Sequence, residues 1–287
     1  MTTAPSDAVT VLPLSGRRLA VYLINMAGAD ARLTAMQAKL AALDLPFARI
    51  EGVDGRALRF PIPEFDERAY RLLHGRRTTP PEVGCYLSHV ACARALLAGD
   101  ADLALVLEDD VSFDPDLAAV LDRAALNGDA WNLLRLTSVN RGRKHAIRDL
   151  GPGRRLAIAL TREKGAGAYV IDRRAAEWIV ADLLPMRLAW DIAFDLEFLS
   201  GLRAAFVDPL PGSQRSDHPT QIQAGLRAYK LGRSRYLTVL PYRAWLEVAR
   251  LACRGARLLR ERLRRRGRDV AAAGPDAGPA AGPGQQA

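Results

Sequence analysis

The chain has 287 residues, 49% of them hydrophobic, and a formal net charge of +9. That length and apolar share allow one large α/β domain or two small ones, and exclude a chain that needs disulfides to fold. The three cysteines (Cys85, Cys92 and Cys253) show no CxxC spacing, which argues against a zinc site or disulfide framework and fits a reducing, cytoplasmic compartment.

No apolar run reaches the length of a membrane span. Residues 1–16, with Pro5, Asp7 and Pro13 and no apolar centre, read as a loose leader and not a signal peptide. The charge is localised: residues 243–268 carry ten arginines against Glu247 and Glu261, so the rest of the chain is nearly neutral.

Arg18 to Ile24 is an apolar, β-branched run ending at Asn25, the first predicted strand. A helical spacing of Leu33, Met36, Leu40 and Leu43 follows, with Asp30 as its cap. Pro46 to Ile50 gives a second strand and residues 51–55 a turn, so the chain opens as βαβ. Arg56 to Thr79 reads as a loop region. Pro80-Pro81 opens a helix through Ser88-His89 to Ala98, ended by Gly99.

Leu103-Ala104-Leu105-Val106-Leu107 has no polar alternation, as expected of a strand buried on both faces, and ends in Glu108-Asp109-Asp110. Three adjacent carboxylates repel one another and raise one another's pKa unless a cation or several donors lie close. At the carboxyl end of a strand they stand where open α/β sheets bind ligands. Hard oxygen ligands suit Mg²⁺ or Mn²⁺; the alternative is a solvated turn capping the next helix.

Further strands are predicted at Trp131–Leu136, Arg154–Thr161, Gly167–Ile171 and Ala204–Val207, with residues 140–155 a basic surface loop. Asp172 caps a helix that Pro185 stops, and Asp191–Leu199 forms another short helix. Residues 212–221 read as a polar loop, 241–269 as a basic amphipathic helix and 270–287 as a disordered Ala/Gly/Pro tail.

Asn25 with Arg32, Val53-Asp54-Gly55, Gly84-Cys85-Tyr86-Leu87-Ser88-His89, Leu107-Glu108-Asp109-Asp110 and Gly165–Ile171 occur in an order that resembles family 25 glycosyltransferases. These are the lipopolysaccharide-type β-glycosyltransferases related to the collagen galactosyltransferases. The resemblance spans roughly residues 18–220 and implies a GT-A-like, Rossmann-like, mostly parallel sheet flanked by helices over residues 17–240. It also implies an inverting transfer of a hexose, galactose above all, from a UDP-sugar to a lipopolysaccharide, lipooligosaccharide or other surface glycan.

Under that resemblance Glu108-Asp109-Asp110 stands for the D-x-D element. Asp110 would ligate Mn²⁺ or Mg²⁺, Glu108 the metal or the donor ribose, and Asp109 is aimed away from both by strand alternation. Gly84, Ser88 and His89 are expected to line the donor pocket, while Cys85 is a small buried residue. Asn25, Arg32 and Asp54 lie at strand ends that meet base and ribose, although Asp54 also fits a plain Asp-Gly turn.

An inverting transfer needs one carboxylate at the acceptor hydroxyl. Asp191 is the first candidate, with Trp190 stacking on a sugar; Asp195 is the second, and helix capping explains Asp191 equally well. In the polar group Gln214, Ser216, Asp217 and His218, the last is a candidate third metal ligand.

The basic helix is expected to meet an anionic membrane surface, or else to be solvated or docked on a partner. The expected setting is thus cytoplasmic and peripheral to the membrane. No basic-aromatic platform supports nucleic acid. Two rivals remain: nucleotidyl or phosphoryl transfer, for which no G-x-x-x-x-G-K-[ST] is present, and a sugar-nucleotide-binding adaptor without catalysis.

Overall fold

The computed structural model describes residues 8–140, 142–214 and 229–273. β2 (Arg18–Asn25) and β4 (Leu103–Glu108) pair in parallel, and every side chain from Leu19 to Leu23 and from Leu103 to Leu107 is buried. Both strands feed two cores by alternation: Ala20, Tyr22, Ala104 and Val106 face one layer, and Leu19, Val21, Leu23, Leu103, Leu105 and Leu107 the other. The first layer is roofed by α3 (Pro80–Ala98) and α5 (Arg173–Ala181), the second by α1 (Asp30–Ala41) and α4 (Leu117–Leu126). This is the Rossmann-like α/β arrangement expected of the sequence.

The sheet runs β1-β2-β4-β9-β6-β10-β8-β7, with β1 (Val9–Val11) and β3 (Ala48–Glu51) sharing the outer edge of β2. β6 (Leu133–Arg135) and β10 (Ala204–Asp208) run in the direction of β2, β3 and β4. β9 (Ala168–Asp172) is antiparallel between β4 and β6, so the sheet is mixed. The carboxyl ends of the five co-directional strands therefore collect on one edge, where β9 begins.

Four segments differ from the sequence reading. The leader is ordered from residue 8: Val9–Val11 pairs antiparallel with Arg18–Ala20, and buried Asp122 accepts from the amides of Leu14 and Ser15 (2.7 and 3.0 Å). The expected loop over 140–155 contains β7 (Lys144–Asp149), an edge strand on β8 (Arg155–Ala159); its mostly polar side chains hid it. A small sheet, β5 (Ser112–Phe113) with β11 (Gly212–Ser213), closes the rim. Residues 67–74 form one turn, α2 (Glu67–Ala69), that continues as a π-helix to His74 and is anchored by buried Tyr70.

The largest difference lies in α7 (Tyr236–Ala273), which starts before the expected boundary; residues 274–287 of the expected tail lie outside the described residues. The sequence reading set the arginines toward a membrane surface, with solvent or a partner as the alternatives. Instead Arg250 and Arg254 are buried against the body, while Leu237, Leu240, Trp245, Val248, Leu251, Leu259 and Leu263 are exposed.

The reason is a pair of buried acids in the 3₁₀ segment after α6 (Trp190–Ala193), Asp195 and Glu197. Arg254 donates to Glu197 Oε1 (3.0 Å) and Oε2 (2.8 Å) and to Asp195 Oδ1 (2.9 Å), and Arg250 pairs with Asp195 at 3.0 Å. Arg257 adds a bond to the Ala130 carbonyl at 2.6 Å. Buried carboxylates need such counter-ions, and the helix turns its arginines inward to supply them.

Removing one partner of a buried ion cluster leaves the others uncompensated. Arg254→Met is therefore expected to cost about 3–5 kcal/mol of unfolding free energy. Urea denaturation checks it: an unchanged midpoint would mean that the helix is not held through Arg254.

Candidate functional site

Where β4 leaves the sheet, alternation separates its carboxylates. Glu108 turns to the α3 face, Asp109 to the α1 face and Asp110 follows off the strand end. Glu108 Oε1 lies 3.2 Å from His89 Nε2, and Gln214 Nε2 donates to Oε2 at 2.7 Å. His89 is 1% exposed; its Nδ1 is 3.0 Å from the Tyr169 hydroxyl, and its ring stacks on Trp190 with centroids 4.7 Å apart and planes 4° apart. Tyr169 carried no signal of its own in the sequence, because only the antiparallel insertion of β9 brings it there.

Asp109 accepts from Asn25 Nδ2 at 2.7 Å and from Arg32 at 2.9 Å. Burial raises its pKa, and Asn25 and Arg32 oppose the rise. Asn25 and Arg32 thus meet the acidic cluster, tying β2 and α1 to the tip of β4.

Asp110 accepts from no side chain among the described residues, and only Arg32 at a distance and a backbone hydrogen bond favour its charge. Burial raises its pKa, Glu108 and Asp109 add to the rise, and its Oδ1 is buried with no hydrogen-bond partner. A carboxylate oxygen left without a donor, beside two further carboxylates, fits a hard divalent cation held by Asp110 and Glu108. A softer grouping lies behind it: one ligand atom each from Cys85, His89 and Glu108 falls within 4.8 Å of the others. Burial holds the Cys85 thiol well above its ordinary pKa, with Glu108 and Asp191 adding, so it is not a thiolate nucleophile.

Several expected donor contacts are structural. A Cβ on Gly84 would sit 2.3 Å from the Val53 carbonyl oxygen and 2.6 Å from the Gly55 nitrogen, and one on Gly55 would sit 1.7 Å from the Pro80 oxygen. The helix and the 53–55 turn therefore meet backbone to backbone. Ser88 Oγ accepts from the Val53 amide and donates to the Gly84 carbonyl, both at 2.8 Å, so it clamps the same turn and is not free for a ligand. Asp54 is exposed and accepts from the Arg56 amide at 2.9 Å, which is the plain turn role.

The two candidate bases separate. Asp195 is 1% exposed and paired with Arg135, Arg250 and Arg254; it is a structural counter-ion with no access to a substrate. Asp191 is partly exposed, and its carboxylate accepts no hydrogen bond among the described residues. Ala189 occupies the cap position, so capping does not account for Asp191. Burial raises its pKa, against the pull of Arg135, Lys164, Arg162 and Arg76.

Trp190 is not open to a sugar. It is 4% exposed, stacked between His89 and Phe194 and met edge-on by Tyr86. His218 lies outside the described residues, though Gln214, from the same polar group, reaches Glu108.

The profile of glycosyltransferase family 25 (LPS biosynthesis protein) matches residues 19–194. A glycosyltransferase 25 family member of Aedes aegypti is 31% identical over 125 residues, 40% of this chain and 20% of that protein. Human procollagen galactosyltransferase 2 is 28% identical over 144 residues, 45% of this chain and 23% of that one. Human inactive glycosyltransferase 25 family member 3 is likewise 28% identical over 148 residues, 46% and 24%. The matched stretch thus spans about a fifth to a quarter of these relatives. Among solved structures, the inositol-1-phosphate CTP transferase from T. maritima superposes with a TM-score of 0.33 at 10% identity over 72% of this chain and 75% of that one, too loosely to bear on function.

The backbone contact at Gly84 leaves no room for a methyl group. Gly84→Ala is expected to lower stability by about 1–3 kcal/mol, measurable as a drop in the thermal midpoint. A variant as stable as the native chain would show that the 53–55 turn can withdraw freely.

Proposed function

The chain belongs to glycosyltransferase family 25, and from that premise we propose that it is a metal-dependent, inverting hexosyltransferase. It moves galactose from UDP-galactose to a lipopolysaccharide, lipooligosaccharide or other surface-glycan acceptor. The galactosyl donor follows the name of the procollagen relatives, and the acceptor class follows the family description. The single observation that carries the reading is the orphaned Asp110 oxygen beside Glu108 at the carboxyl edge of the sheet.

Asp110 and Glu108 would hold Mn²⁺ or Mg²⁺, which supplies positive charge against the departing nucleoside diphosphate. The chain's own residues do the rest. His89 and Gln214 fix the Glu108 carboxylate from two sides, and Asn25 and Arg32 fix Asp109. Asp191, without a hydrogen-bond donor among the described residues and with a raised pKa, takes the proton from the acceptor hydroxyl as it attacks from the face opposite the leaving group.

Asp110→Asn is expected to reduce UDP release from UDP-galactose by roughly a hundredfold or more. The thermal midpoint should hold or rise, because one of three repelling carboxylates is gone. Full turnover in the variant, or in excess EDTA, would remove the metal role. Because relatives of similar identity are named inactive, transfer itself must be measured: UDP binding with no transfer to any acceptor would favour a binding module.

The lipid-borne acceptor is supported by α7. Its apolar face from Leu237 to Leu263 extends about 40 Å, with Leu237 80% and Trp245 53% exposed. Arg260, Arg262, Arg264 and Arg265 are exposed at its far end. No helix among the described residues is long and apolar enough to cross a membrane.

A second copy is a poor occupant. Antiparallel pairing sets those arginines against Lys230, Arg233 and Arg235, and parallel pairing sets them against themselves. An anionic bilayer matches both features, each arginine near it contributing about 1 kcal/mol. The chain should therefore co-sediment with phosphatidylglycerol vesicles and not with phosphatidylcholine, and Trp245→Glu with Leu251→Glu should release it. Retention by the doubly substituted protein, or a dimer in light scattering that this variant abolishes, would overturn the membrane assignment.

A further inference from the structure

Two arginines of this chain have no partner among the described residues. Arg162 and Arg243 are only partly exposed, yet neither has a hydrogen-bond or ion-pair partner among the described residues. They line one small cleft with Leu73, Leu188, Ile192 and Arg250. Arg250 is fully buried and ion-paired to Asp195 and Glu247, but none of its three guanidinium nitrogens meets an acceptor in hydrogen-bond geometry. Glu247 is the one acid lining the cleft, and Arg250 already engages it at 2.7 Å.

Neighbours deepen the imbalance. Burial holds the Arg243 pKa below the usual guanidinium range, and Arg162, Arg76 and Arg235 press it the same way, with Asp191 opposing. His74, buried close by, is pushed down to about 3 by burial and by Arg76, Arg243 and Arg162, so it is neutral and brings no further charge. Guanidinium groups do not shed their protons in proteins. Among the described residues no acid reaches Arg162 or Arg243 at ion-pair distance, and Asp191 answers their charge only from farther off, so an incoming anion would be their direct counter-ion.

We propose that this cleft is an oxyanion subsite that takes a phosphate ester or a carboxylate carried by the acceptor. The planar forks of Arg162 and Arg243 suit such groups, each able to donate two parallel N–H bonds. Its place argues for the acceptor and not the donor. Ile192 lines it, next in the chain to Asp191, and the Trp190 ring lies between this segment and His89 behind Glu108. An anion seated here delivers the rest of its molecule to Asp191, while the diphosphate of a nucleotide sugar belongs at Asp110. α7 forms one wall with its docked face and keeps Trp245 outside, so a glycan on a lipid would enter from the side of the exposed apolar face.

The word acceptor rests on the transferase reading; the anion does not. Isothermal titration of the full chain with inorganic phosphate, glucose 6-phosphate and glucuronate, with UDP plus Mn²⁺ run in parallel, tests both. At least one of the three oxyanions should bind the native chain and lose about tenfold or more in Arg162→Gln/Arg243→Gln, with UDP affinity unchanged. Preference for the sugar phosphate or for the uronate identifies the group recognised.

Equal oxyanion binding in the double variant, or none in the native chain, overturns the subsite. Loss of UDP affinity together with oxyanion affinity overturns it too, since the arginines would then serve the donor. If UDP binds neither protein while the oxyanion loss persists, the transferase reading fails and the anion site stands.

Discussion

A strand that is buried on both faces has no choice about where its last side chains go. β4 fills both cores from Leu103 to Leu107, so its register is fixed by packing, and Glu108 and Asp109 are thrown to opposite faces of the sheet. The repulsion of three adjacent carboxylates is met piecewise: His89 and Gln214 on one face, Asn25 and Arg32 on the other, and no side-chain donor at Asp110 among the described residues. Moving β4 by one residue would exchange those partners and lose every one of these contacts. The rest of the site is built outward from that tip.

Behind Glu108 stands an aromatic layer. His89 bonds Tyr169 on β9 and stacks on Trp190, which in turn stacks on Phe194. This stack couples the acidic tip to the α6 segment, so the position of Asp191 depends on the same packing that orients His89. Trp190 is thus a spacer between two chemical stations, and its burial serves geometry in place of sugar contact. Ile192, two residues after Trp190, lines the cleft that holds Arg162 and Arg243, and the charge of Arg162 bears on Asp191.

α7 inverts the usual amphipathic order. Its inner face carries Arg250 and Arg254 because Asp195 and Glu197 are buried under it, and its outer face is left to Leu237, Trp245, Val248, Leu251 and Leu259. A helix of this composition in isolation would turn its arginines to water. Here, desolvated carboxylates outweigh that preference, since a buried acid without a counter-ion costs more than a row of exposed leucines.

Local residues in the sequence determined much of this molecule. The unbroken apolar run of β4, the βαβ opening, the proline-started α3 and the acidic tip are patterns within a few residues of one another, and periodicity and burial preference suffice to read them. The alternation that separates Glu108 from Asp109 follows from strand geometry alone. Only the tertiary structure decided the rest, because it depends on which distant groups meet. β7 has too few apolar residues to announce itself, and its pairing with β8 creates it. Gly84 and Ser88 look like ligand contacts until the 53–55 turn is laid against them. Asp191 and Asp195, four residues apart, are alike in sequence, and it is Arg135 with the arginines of a helix some sixty residues later that make Asp195 a buried counter-ion, while Asp191 accepts no hydrogen bond among the described residues. A charge carries no mark of its partner, and burial, which chooses the partner, is a property of the whole fold.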